Sequence, residues 1–261
     1  MLPPSAGILI REAPLKAWQR KHFREGGSRV LGDTTFPFRV NKTIKDRIGS
    51  AGLHQLGKNL WPVDCQTCGR PLDGEVPSLV VSDMNVVAIA ALHHPGCQQP
   101  HWAENVITVA RGDYLTYRTR TGLIPTEADG KPVSLPLMLV NPGLEQVSLR
   151  PEGSGWRVAT MKKYQEDCGL TEIVGAEPVP DAYAQVTPGG WLIVVLERTH
   201  EAWEFDISAP AGMKDRILEL GGVGLGVTTA YLPTDHFATL GDFIDAMRSG
   251  QLALGWISLR R

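Results

Sequence analysis

Cys65, Cys68, His94 and Cys97 are the residues of this 261-residue chain whose types and spacing can do chemistry. Thiolate and imidazole are the donors that hold a borderline-soft divalent ion, and a Cys-x-x-Cys step lets one tight turn present two sulfurs to it. A His-x-x-Cys step about twenty-five residues later supplies two more donors from a second turn. Four protein ligands complete a tetrahedron and leave no position for water or substrate, so the chemistry expected is a structural Zn2+ site. A single closed, thiolate-rich site favours zinc over iron. His93, with a His-x3-Cys spacing to Cys97, competes with His94 for the fourth place, and His101 is a more distant alternative. The spacing of recurring zinc motifs favours His94.

The ligands need a knuckle, a return path and a second turn. Trp61-Pro62 closes the preceding segment, and in Cys65-Gln66-Thr67-Cys68-Gly69 the glycine takes a positive φ while backbone amides turn toward the thiolates. Ser78 to Ser82 and Val86 to Leu92 are β-branched or apolar runs separated by Asp83-Met84-Asn85, which predicts a hairpin that carries the chain back to the metal. Knuckle, hairpin and His-x-x-Cys turn together resemble a treble-clef or zinc-ribbon finger, over residues 65–97, about an eighth of the chain. The resemblance implies structural zinc. In such fingers the second ligand pair often opens a helix; Pro100 limits one here, and a plainer zinc ribbon is the other form. A redox Cys-x-x-Cys would need a βαβ context, which residues 40–100 do not show.

Around the finger the pattern is α+β: a mainly antiparallel sheet with short helices. Before it, Pro14 to Glu25 and Thr43 to Leu56 are helical, the second with Ile44, Ile48 and Ala51 on one face, and Thr35 to Phe38 is extended. After it, strands are expected at Val106 to Arg111, Tyr114 to Arg120, Leu137 to Asn141, Glu145 to Leu149, Trp156 to Thr160, Trp191 to Glu197 and Ala202 to Ile207. Met161 to Cys168 and Met213 to Leu220 are helical, Val223 to Leu232 is a strand, and Thr239-Leu240-Gly241-Asp242 has the form of a capping box. It opens a helix with Phe243, Ile244 and Met247 as its apolar stripe, and Leu252 to Leu259 is a last buried strand. The organisation expected is a basic helical head over residues 1–60, a finger over 61–105 and a body over 106–261, with an internal boundary in the Pro- and Gly-rich passage near 175–190.

Composition excludes several classes. No run approaches eighteen apolar residues and Met1 to Ile10 lacks the pattern of a signal peptide, so the expectation is a cytoplasmic protein with no membrane contact. Three of four cysteines fall in the cluster, against a disulfide framework, and Cys168 reads as a packed side chain. There is no P-loop, Gly-x-Ser-x-Gly or His-Glu-x-x-His; Gly221 to Gly226 lacks the following helix that phosphate binding needs, and the pairs Asp235-His236 and Glu197 with His200 read as surface residues. No catalytic residue is assigned, and an enzyme of unidentified class is the third functional alternative.

Charge is unevenly distributed. Residues 1–60 hold eleven Lys and Arg against four Asp and Glu, which leaves fifteen against twenty-four in the remainder: about +7 and −9. The basic head can dock on an acidic protein surface, of this chain or another, or approach phosphates through Arg11, Lys16, Arg20, Lys21, Arg24 and Arg29. Trp18, Phe36 and Phe38 can stack on unpaired bases or anchor their segment to a core, and anchoring is the expected role. The function expected is a non-enzymatic, zinc-stabilised binding protein that engages nucleic acid or a nucleic-acid-associated complex. The alternative is a protein-interaction or assembly module.

Overall fold

A computed structural model describes residues 36–106, 119–128, 131–171, 177–231 and 240–260. Phe36 to Arg261 forms one unit by packing. The expected helix Pro14 to Glu25, Trp18 and the expected hairpin about Gly112-Asp113 lie outside the described residues.

The first described helix, α1 (Lys42–Leu56), starts where the Asn41 side chain accepts the Ile44 amide at 2.9 Å. Gly49, at φ 70°, breaks the helical path, and Arg157 Nη1 donates to the Ile48 carbonyl at 3.1 Å, satisfying an acceptor at the break. The kink also resets the buried face. Ala51, expected on the apolar stripe with Ile44 and Ile48, is exposed, and Leu53 and Leu56 continue the stripe instead. Phe36 and Phe38 are 8% and 2% exposed in the same core, as anchors.

Five strands form the sheet beside this helix: β1 (Ser78–Asp83), β2 (Ala88–His93), β3 (His101–Ala103), β6 (Gln146–Glu152) and β7 (Gly155–Val158), in the order β3-β1-β2-β6-β7. The expected hairpin forms between β1 and β2, with Ser78 opposite His93 and Asp83 opposite Ala88, and turns through Asn85 at φ 73°. Its inner face, with Leu79, Val81, Ala88, Ala90, Val147 and Leu149, shares one core with Ile44, Ile48, Leu53, Leu56 and Cys65.

A second sheet runs β4 (Thr119–Ala128), β5 (Lys131–Val140), β11 (Gly222–Thr228), β12 (Leu252–Ser258). β5 and β11 are parallel, as are β1 and β3; the other strand pairs are antiparallel, which gives the α+β architecture. The sequence shows only the end of β5, because Pro125, Pro132 and Pro136 punctuate the hairpin. Pro125 is tolerated because β4 is an edge strand, and Pro132 and Pro136 because β5 meets β11 only over Leu137–Val140, so its first half behaves as an edge. The glycine-rich run is β11 itself. A Cβ on Gly224 would stand 2.6 Å from Leu137 Cδ1, and one on Gly226 2.8 Å from Leu139 Cδ1, so these glycines admit the leucines of β5.

The third sheet, β8 (Ala182–Val186), β9 (Trp191–Leu196) and β10 (Glu201–Asp206), is a meander packed on the large body core with α2 (Thr160–Glu166) and α3 (Met213–Leu220). β8 lies within the Pro- and Gly-rich passage near 175–190, and Thr187 to Gly190 is the turn of the β8–β9 hairpin, with Gly190 at φ 81°. Cys168 is buried in this core. On α4 (Leu240–Arg248), Met247 is 47% exposed, where the apolar stripe was expected, and Ala246 takes the buried place. Among the described residues no helix is long and apolar enough to cross a membrane.

Candidate metal centre

The knuckle is a small hairpin. Asp64 bridges Pro71, Leu72 donates to the Val63 carbonyl and Cys65 to the Arg70 carbonyl, both at 2.9 Å, and Gly69, at φ 69°, donates to the Cys65 carbonyl at 2.8 Å. The Gln66 amide donates to the Leu92 carbonyl at 3.0 Å and ties the knuckle to the end of β2. From β2 the chain passes into the turn His94-Pro95-Gly96-Cys97, closed by Cys97 N to His94 O at 2.9 Å. The next element is β3, a strand parallel to β1, in place of the helix that commonly follows in a treble clef.

These two turns bring Cys65, Cys68, His94 and Cys97 together, with one donor atom from each lying within 4.8 Å of every other. A tetrahedral ion with bonds of about 2.0–2.3 Å has ligand–ligand edges of roughly 3.3–3.8 Å. The donors therefore stand within about an ångström of closure. Cys65 is fully buried and the other three are partly covered. The donor set fits a metal ion in its surroundings as well. The His94 amide donates to Cys65 Sγ at 3.3 Å, His94 Nδ1 lies 3.4 Å from Cys68 Sγ, and Nε2 lies 3.0 Å from the Pro71 carbonyl. An imidazole that donates through one nitrogen offers the other as a ligand.

The electrostatics set the three sulfurs apart. Burial raises the Cys65 thiol, but amides of His94, Cys68 and Thr67 outweigh it and hold the group below the ordinary thiol range. The Arg70 side chain, then the Arg70 amide, bring Cys68 down to about 6. Cys97 goes the other way, pushed up to about 11 by desolvation and by Cys68 and Cys65 beside it. Three thiolates cannot ionise together at this distance without positive charge among them, which is what a bound divalent ion supplies.

His93 is placed elsewhere. It is 6% exposed, with Nδ1 2.8 Å from Thr67 Oγ1, and burial together with His101 lowers it to about 4. His101 bonds the Gln99 carbonyl at 2.9 Å and is not in the cluster. Arg70 and the Pro71 carbonyl are the participants that spacing did not reveal; both lie in the return arm of the knuckle, immediately after Gly69. Arg11, Lys16, Arg20, Lys21, Arg24 and Arg29 lie outside the described residues, as do Asp235 and His236. Glu197 meets His200 only through a backbone bond of 3.3 Å, which makes no catalytic pair. Comparison of the chain with protein families, with curated proteins and with solved structures finds no match.

Proposed function

We propose that this protein is a non-enzymatic binding protein stabilised by one structural zinc ion, with a basic N-terminal head that engages nucleic acid or a nucleic-acid-associated complex. The observation that carries the metal half is the convergence of three sulfurs and one imidazole nitrogen within 4.8 Å. Four protein donors saturate a tetrahedral ion, so the ion's work is to hold the knuckle on the hairpin. Zinc is favoured because thiolate-rich tetrahedral sites select it and it brings no redox chemistry. The binding half rests on charge: about +7 over residues 1–60, with Arg11, Lys16, Arg20, Lys21, Arg24 and Arg29 within one short stretch.

Metal analysis of the purified full chain, run beside a nucleic-acid shift assay at two salt concentrations, tests both halves. One zinc per chain and binding that weakens steeply with salt are expected, with a shallower salt slope when Arg20, Lys21 and Arg24 are replaced together. Zinc without nucleic-acid binding would favour an assembly module whose head contacts an acidic protein surface. Absence of metal would remove the premise.

A further inference from the structure

The sheet β8–β9–β10 has one face on the body core, and its other face carries exposed Gln185, Trp191, Ala202 and Glu204. Leu192, Val194 and Leu196 of the central strand are at most 1% exposed, and strand alternation turns Trp191, Ile193 and Val195 to the opposite side. An antiparallel sheet with one solvated face ordinarily alternates apolar with polar residues. β9 instead reads Trp-Leu-Ile-Val-Val-Leu, apolar on both faces, and Trp191 is 46% exposed. On that other face Val195 lies between Tyr183 and Ala202, and Ile193 lies between Gln185 and Glu204. Charge is divided across this strip. Arg260 sits over the Tyr183 ring, 4.1 Å from its centre, on the β8 side, and exposed Glu204 stands on the β10 side. Neither takes part in a salt bridge among the described residues.

We infer that this face is a self-association surface, on which two copies of the chain pack sheet against sheet about a twofold axis parallel to β9. That rotation lays β8 of one copy over β10 of the other. Arg260 then faces Glu204 of the second copy twice over, and the strip of Trp191, Ile193 and Val195 covers its own equivalent. A twofold axis across the strands would lay β8 on β8 and set Arg260 against Arg260, so the charge pattern selects the first arrangement. Three strands about 4.8 Å apart and six residues at about 3.4 Å give a footprint of roughly 300 Å² per copy. Stable interfaces cover about 800 Å² per partner, so the dimer belongs to the weak, concentration-dependent class.

Sedimentation velocity on the full chain, from micromolar to near-millimolar concentration, is the test. The sedimentation coefficient is expected to rise from monomer toward dimer. Glu204→Arg weakens association by about tenfold, equivalent to about 1.4 kcal/mol over two symmetric pairs. Arg260→Glu does the same, and the double variant restores the parent constant. Both positions are exposed, and an unchanged near-ultraviolet circular dichroism spectrum verifies folding. Ile193→Lys abolishes association. A chain that stays monomeric throughout leaves the face to a different partner and overturns the inference, and so does a dimer indifferent to the charge exchange.

Discussion

His94 Nε2 stands 3.0 Å from the carbonyl oxygen of Pro71, while Nδ1 of the same ring stands 3.4 Å from Cys68 Sγ. The carbonyl can only accept, so it fixes the proton on Nε2 and leaves the Nδ1 lone pair directed at the sulfurs. Knuckle and second turn are thus joined by a bond that also selects the ligand atom. In zinc-loaded protein, long-range proton–nitrogen correlation spectra are expected to show His94 protonated at Nε2 and metallated at Nδ1. The reverse pattern would mean that Pro71 does not orient the ring.

Metal binding is expected to release protons. In the metal-free cluster Cys97 is held up to about 11 by desolvation and its sulfur neighbours, whereas Cys68 is brought down to about 6 by Arg70. Near pH 7.5 Cys68 is already a thiolate and Cys97 is not, so binding must expel at least the Cys97 proton. Apparent zinc affinity therefore rises with pH across the neutral range. Calorimetry in buffers of different ionisation enthalpy measures the number released, and a count of zero would contradict the crowding of the three sulfurs.

His93 gives a separate acid sensitivity. Its ordinary value is 6.5 and its folded value about 4, because burial and then His101 disfavour the charged ring. Between those values the unfolded chain binds the extra proton. Stability is complete above about 6.5 and drains as pH falls toward 4, by up to about 3 kcal/mol. His93→Gln should flatten the dependence of the urea midpoint across that interval, in metal-saturated and metal-free protein alike. An unaltered slope would mean that another group is titrating.

Close approach in the second sheet separates two alanine substitutions. A Cβ on Gly222 would stand 2.6 Å from the Ile257 carbonyl oxygen, a backbone atom, and one on Gly224 the same distance from the end of the Leu137 side chain. A leucine terminus can rotate; a ladder carbonyl cannot. Gly222→Ala is expected to cost about 2–3 kcal/mol and Gly224→Ala about 1 kcal/mol, compared by chemical denaturation. Equal costs would mean that β12 yields as readily as Leu137.

The convergence of Cys65, Cys68, His94 and Cys97 and the hairpin between the two pairs were legible because both are local: two short spacings, and two apolar runs about a turn. Arg70 and the Pro71 carbonyl were not, since their roles depend on where the return arm of the knuckle lies in space. The α+β class followed from the run of elements, but β4 and the first half of β5 were hidden by prolines whose tolerance depends on strand order. Periodicity failed at Ala51 because a kink at Gly49 turns the helix between Ile48 and Leu53. At Met247 it pointed to the wrong neighbour, for Ala246 is the residue that fits under β12.

Removal of one sulfur tests whether an ion bound by the four residues would hold the knuckle alone or the whole unit. Cys65 is fully buried and belongs to the core that α1 shares with the β1–β2 hairpin, so its loss reaches beyond the cluster. A structural zinc contributes on the order of 10 kcal/mol to the folding of the element it closes. Cys65→Ser is expected to abolish stoichiometric zinc and to strip hydrogen-exchange protection from the Cys65 position and Leu72, whose amides bond the Arg70 and Val63 carbonyls at 2.9 Å. Protection in β11, which pairs with β5 and β12 in a different sheet, should persist. Cys168→Ser, in the body core, should leave zinc content and knuckle protection as they are. If Cys65→Ser kept both the ion and the protected knuckle, the four residues would not form one site. If β11 lost protection with the knuckle, the ion would be holding the entire unit, and the seam where Trp61 Nε1 donates to the Thr229 carbonyl at 2.8 Å would be the path through which it does so.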